Sequence, residues 1–437
     1  MPYFQTMSSA ALKKMMQELQ QQYHEFKSKN LKLNMARGKP SAEQLELSAD
    51  MLNNLSCEDL SKTEAGFETR NYGMLDGIPE AKEFFAQILD VPSDWIIVGG
   101  NSSLNLMYDA VARAMQFGVG GNPPWNQQGR IKFLCPSPGY DRHFAICELF
   151  GIEMIHISMN KDGPNMNQIR NLVEQDPLVK GIWCVPKYSN PTGITYSDEV
   201  VRAFAALKPA AKDFQIFWDN AYVVHHLAEP HDRLLNIFDA CQTYHSEDMV
   251  LEFTSTSKIS FPGGGISALA TTPKNIKYIL SIMSIQTIGH DKINQLRHCK
   301  FFGSEGKLQR HMEAHAKIIK PKFDLVIEYL NRQITPCGIG NWTEPRGGYF
   351  ISFDALPGCG KRIGELCKQA GVVLTKVGAT YPYGIDPLNR NIRIAPTYPP
   401  IGELEQAMQV FCVCVKIASI EKILRDRDQE PEANASD

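Results

Sequence analysis

The sequence has no uninterrupted apolar run of about 18 residues, the length a membrane-spanning helix needs, so no span is expected. It has no excess of either charge: 45 Lys plus Arg stand against 48 Asp plus Glu, for a net charge of −3. That gives no electrostatic case for nucleic acid or an anionic membrane as partner. It has no CxxC pair. Its 11 cysteines are odd in number and irregularly spaced, which argues for a reducing compartment over a disulfide framework. Cys412 and Cys414, in an apolar run, read as core thiols. The first residues lack an apolar signal core, since 11–29 is rich in Gln, Lys and Glu, so the expected location is cytoplasmic. The GxxxxGK[ST], GxGxxG and GxSxG signatures are also missing, which removes the common nucleotide and hydrolase readings. His311 and His315 are four apart but do not belong to an HExxH, and they read as solvated helix histidines. No metal site is expected.

What is present is ordinary globular composition, 43% hydrophobic and 21% charged, over 437 residues. That length calls for two or three domain-sized units. Ser8 or Ser9 can cap a helix to about Lys29, with Leu12, Met15, Met16, Leu19 and Tyr23 as its apolar stripe. An extended piece then ends in Arg37-Gly38-Lys39-Pro40, where the two cations are either surface charge or anion-binding groups at a site mouth. Pro79 opens a helix at the position where its missing N–H costs least.

From about residue 80 to 270 short apolar strands alternate with helices, the pattern of βαβ units and a mostly parallel sheet. Ile266–Ala270 reads as an edge strand. Beyond it come long helices over about 274–330. From 342 the elements shorten into what reads as a smaller α+β domain, and the acidic tail 426–437 reads as disordered.

The polar residues gather just after strand ends, the edge that carries ligands in open α/β sheets. Gly99-Gly100-Asn101-Ser102-Ser103 is a turn into a helix start, which can hold an anion. Ser255-Thr256-Ser257-Lys258 is followed by Pro262-Gly263-Gly264-Gly265. By itself it is either a strand end with a turn or a lysine exposed as an amine nucleophile. Together the strand-end residues match the needs of pyridoxal phosphate. Lys258 is the amine for its aldehyde, and Asp219 the carboxylate for its pyridine nitrogen. Asn190 and Tyr222 suit its phenolic oxygen, and Tyr140 can plate its ring. Ser102, Ser103, Ser255 and Ser257 suit the phosphate, and Arg393 suits an amino-acid carboxylate.

Asn190-Pro191-Thr192-Gly193, Asp219-Asn220-Ala221-Tyr222, Ser255-Thr256-Ser257-Lys258 and Asn391-Ile392-Arg393, in that order, resemble the class I aminotransferases of fold type I. Arg37-Gly38-Lys39-Pro40, Asn71-Tyr72-Gly73 and Asp291–His298 are similar to the bacterial aspartate aminotransferase subgroup called type Ic. The resemblance implies an α/β large domain, its mostly parallel sheet flanked by helices, and a smaller α+β domain built from both termini. The expected boundaries are 1–55, 56–315, 316–425 and the tail 426–437. It implies pyridoxal 5′-phosphate, with Lys258 as Schiff-base lysine and proton shuttle, Asp219 on the pyridinium, Asn190 and Tyr222 on the ring oxygen and Arg393 on the substrate carboxylate. It also implies a homodimer in which Tyr72 reaches the neighbouring cofactor's phosphate.

The implied reaction moves an amino group between L-aspartate and 2-oxoglutarate. Arg37, with Gly38 beside it, Lys39, Lys292 and Arg297 are candidates for the side-chain carboxylate, Arg37 first because it precedes a glycine turn at the site mouth. The alternatives are an aminotransferase of other range, a pyridoxal-phosphate lyase, or a regulatory ligand-binding domain. One departure stands out. Most relatives carry an arginine for the phosphate shortly after the lysine, and Ser260–Ile266 has no cation, so either Lys292 or Arg297 supplies it or hydroxyls and the helix end hold the phosphate alone. The loop beneath the ring is expected to turn through a cis Asn190–Pro191 bond.

Overall fold

The computed structural model describes residues 3–61 and 63–429. Its strands are β1 (Leu33–Asn34), β2 (Ile96–Gly99), β3 (Lys132–Ser137), β4 (Glu153–Asn160), β5 (Gly163–Pro164), β6 (Val179–Cys184), β7 (Gln215–Asp219), β8 (Val250–Ser255), β9 (Ser267–Ala270), β10 (Gly340–Trp342), β11 (Ile351–Ala355), β12 (Val372–Val373) and β13 (Asn391–Ile394). Eight form one sheet in the order β2-β9-β8-β7-β6-β3-β4-β5. β8, β7, β6, β3 and β4 run parallel, while β9 is antiparallel to both its neighbours and β5 is antiparallel to β4.

The sheet therefore has the expected mostly parallel form. Its central strands read as unbroken apolar runs because helices cover both faces. One face packs Ile96, Val98, Ile182, Ile216 and Trp218. The other packs Ile97, Phe133, Trp183, Phe217 and Phe253. Strand order reverses at β3, which has β4 on one side and β6 on the other. The loops after β3 and β6 diverge there and leave a crevice at the strand ends.

Two readings of this region are corrected. Ile266–Ala270 is not an edge: β9 lies between β2 and β8, and β2 is the outer strand. All four β9 residues are buried, as an interior strand's must be. The helix Ile401–Gln429 also runs through Asp426, so 426–429 are helical and not part of a disordered tail. The remaining tail, 430–437, lies outside the described residues.

A third core joins the two ends of the chain. The helix Ser9–Ser28 starts where Ser8 Oγ accepts from the Ala11 N–H at 3.2 Å. It buries Leu12, Leu19 and Tyr23, and the Tyr23 hydroxyl donates to the Leu366 carbonyl at 2.9 Å. β1 pairs in parallel with β12, Leu33 opposite Val372. β11 pairs antiparallel with β10 and β13. The N-terminal residues are thus built into the same body as 340–425 and carry Arg37 and Gly38 to the end of β13. Among the described residues no helix is long and apolar enough to cross a membrane.

Candidate active site

Lys258 follows β8 in a tight turn, Thr256 N–H to Ile266 carbonyl and Ile259 N–H to Thr256 carbonyl. Its Nζ lies 5.0 Å from the centre of the Tyr222 ring and 5.9 Å from that of Tyr349. Burial holds its ammonium below the ordinary lysine range, and the Asp219 charge opposes this. A larger neutral fraction is what an amine nucleophile needs.

Asp219 ends β7 and is buried. Its Oδ2 accepts from His143 Nε2 at 3.0 Å. Its Oδ1 is buried with no hydrogen-bond partner in the protein. A carboxylate oxygen left so is costly unless a further donor arrives. His143 is itself fixed by stacking on Trp183, ring centres 4.4 Å apart and 9° from parallel. The sequence reading missed His143, which shows only as a lone histidine inside a helix.

Tyr140 stands at the head of the helix Asp141–Leu149, in edge contact with His143. Burial, with the charges of Asp219 and Asp141, raises its phenol to about 12. Burial, with Tyr140 and Asp219 next, also raises the Tyr222 phenol. Both are therefore protonated donors at neutral pH. The Asn190–Pro191 bond is cis, as expected. Asn190 Oδ1 accepts from Arg393 Nη1 at 3.2 Å, which leaves its Nδ2 free to donate. Arg393, on β13, also donates through Nη1 to Asp141 Oδ1 at 2.9 Å and through Nε to Thr375 Oγ1 at 3.3 Å. Its guanidinium carbon sits 4.8 Å from the centre of the Phe350 ring. Gly38 backs the same ring: a Cβ on it would lie 2.4 Å from Phe350 Cζ. Arg37 is exposed.

The turn Gly99–Ser103 is stitched to the lysine strand by hydroxyls. Ser255 Oγ donates to Ser257 Oγ at 3.0 Å, Ser257 Oγ to the Asn101 carbonyl at 2.9 Å, and Ser267 Oγ to the Gly100 carbonyl at 2.8 Å. Ser102 caps the helix Ser103–Phe117 by accepting from the Leu104 N–H. The cap leaves other first-turn N–H groups available to an anion. The glycines after Phe261 dock on the helix Lys292–Phe302, where Asn294 Nδ2 donates to the carbonyls of Gly264 and Gly265, each at 2.9 Å. Lys292 opens that helix and is buried. His290 approaches Gly100, its Nδ1 4.0 Å from where a Cβ would stand. Tyr72 is 83% exposed.

Behind Lys258 lies a hydrogen-bond network that corrects the reading of His311 and His315. They are buried, not solvated. Both rings turn inward, Nε2 to the Ile259 carbonyl at 2.7 and 3.0 Å. Gln44 fixes the tautomer of His315. Its Oε1 accepts from the Ser41 N–H at 3.1 Å, so its Nε2 faces His315 Nδ1 at 3.0 Å and the Tyr349 hydroxyl at 2.9 Å. His315 Nδ1 is then the acceptor and Nε2–H the donor, which leaves neither nitrogen for a metal. The Tyr349 hydroxyl donates onward to the Lys258 carbonyl at 3.4 Å.

The sequence profile described as aspartate amino-transferase matches residues 7–427. An aspartate aminotransferase of Corynebacterium glutamicum is 42% identical over 406 residues, 93% of this chain and 94% of that protein. The crystal structure of an aspartate transaminase from C. glutamicum has a TM-score of 0.94 at 40% identity, covering 96% of this chain and 99% of that one. The fold also recurs in a Pyrococcus horikoshii kynurenine aminotransferase in complex with PMP, at TM-score 0.73 and 18% identity, over 91% of this chain and 94% of that one. With the lysine turn and the half-satisfied aspartate at the sheet's edge and the buried arginine facing them from β13, these likenesses settle the family: the chain belongs to the aspartate amino-transferase family and is an aminotransferase of fold type I.

Proposed function

We propose that the chain binds pyridoxal 5′-phosphate and transfers the amino group of L-aspartate to 2-oxoglutarate in two half-reactions. The observation that carries the cofactor is the buried, unpartnered Oδ1 of Asp219, which fits a protonated ring nitrogen. When bound, the cofactor supplies an aldehyde carbon for amines and a ring that accepts the electron pair freed at the substrate's Cα.

The chain's own residues do the rest. Asp219 keeps the ring nitrogen protonated, and His143 orients Asp219. The Tyr222 hydroxyl and Asn190 Nδ2 donate to the ring oxygen, and Tyr140 covers the ring face. The Gly99–Ser103 turn, Ser255 and Ser257 form the phosphate cradle, with Lys292, Arg297 and His290 as candidates for its missing cation. Arg393 binds the α-carboxylate and holds Cα beside Lys258. The Lys258 amine would take and hold the proton released from the substrate's Cα. Arg37, exposed beside Gly38, and Lys292 are the candidates for the distal carboxylate. Tyr72 serves the neighbouring subunit's phosphate in a homodimer. That second subunit and a cytoplasmic location complete the reading.

Borohydride reduction of the holoenzyme followed by peptide mapping tests the site, with a pyridoxyl adduct expected on Lys258 and on no other lysine. For the substrate, Arg37→Ala is expected to raise KM for aspartate about tenfold or more and to leave alanine nearly unchanged. Equal effects on the two donors would refute Arg37's role.

A further inference from the structure

Arg393 is 7% exposed, and the anion that meets it is a side chain of the protein. Its partners are Asp141 and Asn190 on Nη1 and Thr375 on Nε, with the Phe350 ring against its face. Of these only Asp141 is charged. Asp141 opens the helix that follows Tyr140, whereas Arg393 lies on β13 in the sheet of β10 and β11. The ion pair therefore ties one wall of the crevice to the other. Its members differ in freedom: the Asp141 side chain is 33% exposed, so it can turn into water, and Arg393 cannot.

A carboxylate arriving at Arg393 meets a guanidinium already paired. With Asp141 on Nη1, a second carboxylate on the same guanidinium repels the first, so the newcomer either crowds Asp141 or displaces it. We propose that Asp141 is an internal competitor for the substrate's α-carboxylate: it occupies Arg393 in the empty site, latches the two walls together, and yields when a carboxylic acid binds. This rests on Arg393 being the α-carboxylate site. The consequence is uniform. Asp141 weakens every carboxylate ligand alike, amino acid and keto acid, without touching the reacting atoms. It is a positioning residue.

The sign of one substitution decides the matter. Asp141→Asn keeps size and the hydrogen-bond acceptor but removes the charge. It is expected to tighten binding of maleate, a four-carbon dicarboxylate with no amino group, to the holoenzyme by roughly 3- to 30-fold in calorimetry. KM for aspartate and 2-oxoglutarate should fall together, with kcat changing less than KM. Asp141→Ser is expected to act in the same direction, which separates loss of charge from any peculiarity of asparagine. A residue that merely props Arg393 would give the opposite sign, so unchanged or weaker maleate binding in both variants overturns the proposal. Arg393→Lys is the control. If it weakens maleate binding and the Asp141 variants do not tighten it, only the competitor role fails. If Arg393→Lys has no effect, the carboxylate site itself is elsewhere and both readings fall.

Discussion

At the scale of single residues, what the sequence disclosed was chemical type at a strand end. Lys258, Asp219, Asn190, Tyr222 and Arg393 each carry a group that one part of a single adduct requires, and the fold brings the first four to the edge of the large sheet and Arg393 opposite them from the smaller one. What it hid were partners with no local signal. His143 matters because it reaches an aspartate 76 positions away, and Asp141 because it reaches an arginine 252 positions away. Nothing in the spacing of the helix Asp141–Leu149 marks either. Glu252 was equally silent. It lies on β8, buried, and Asn220 Nδ2 donates to its Oε1 at 2.8 Å. Burial raises its carboxyl from the ordinary 4.5 to about 7, with the Asn220 bond opposing. Between those values the folded chain keeps a proton that the unfolded chain has released, so stability falls as pH rises through this window and stays lower above it. Glu252→Gln removes the titration. It is expected to gain about 1–3 kcal/mol over the parent on going from pH 5 to pH 8, read as urea midpoints. An identical difference at both pH values would rule this out.

At the scale of elements, the sheet was legible because its strands are apolar runs separated by helices. The order of those strands was not. β9 reads as an edge from its position near the end of the strand series, yet it inserts between β2 and β8, because register and neighbour choice are set by long-range pairing. The helix Lys307–Gln333 was misread for a related reason. His311 and His315 share a face with Met312 and Ile319, and that face is buried against the lysine turn and the N-terminal segment. A histidine is polar enough to be taken for solvent, and only its partners show otherwise. Gln44 is the hinge of that packing. One amide closes the capping box of the helix Ala42–Glu46 and serves His315 and Tyr349 together. Gln44→Ala is expected to destabilise the protein by about 1–3 kcal/mol in denaturant titration, because buried acceptors lose their donor. The loss of a surface side chain would cost only a few tenths, and that result would dissolve the network as described.

At the scale of the whole molecule, one residue assigned to the cofactor's surroundings is left uncovered by its own chain. Tyr72 is 83% exposed in the single chain, and the Gly289 that abuts the adjoining turn at Gly73 gives it no cover. An exposed aromatic of this kind fits a site completed by a second copy through a two-fold interface. The idea makes a sharp claim about mixtures. Lys258→Ala removes the amine from its own subunit's site, and Tyr72→Phe removes a hydroxyl from the site across the interface. In a dimer with one subunit of each kind, both losses fall on the same site and the other site keeps both groups. Unfolding and refolding the two variants together at equal amounts gives about half mixed dimers, each with one intact site, so about a quarter of the parent kcat should return with parent KM. If Tyr72 acted within its own subunit, each site of a mixed dimer would carry one loss. The mixture would then show only the average of the two separate variants.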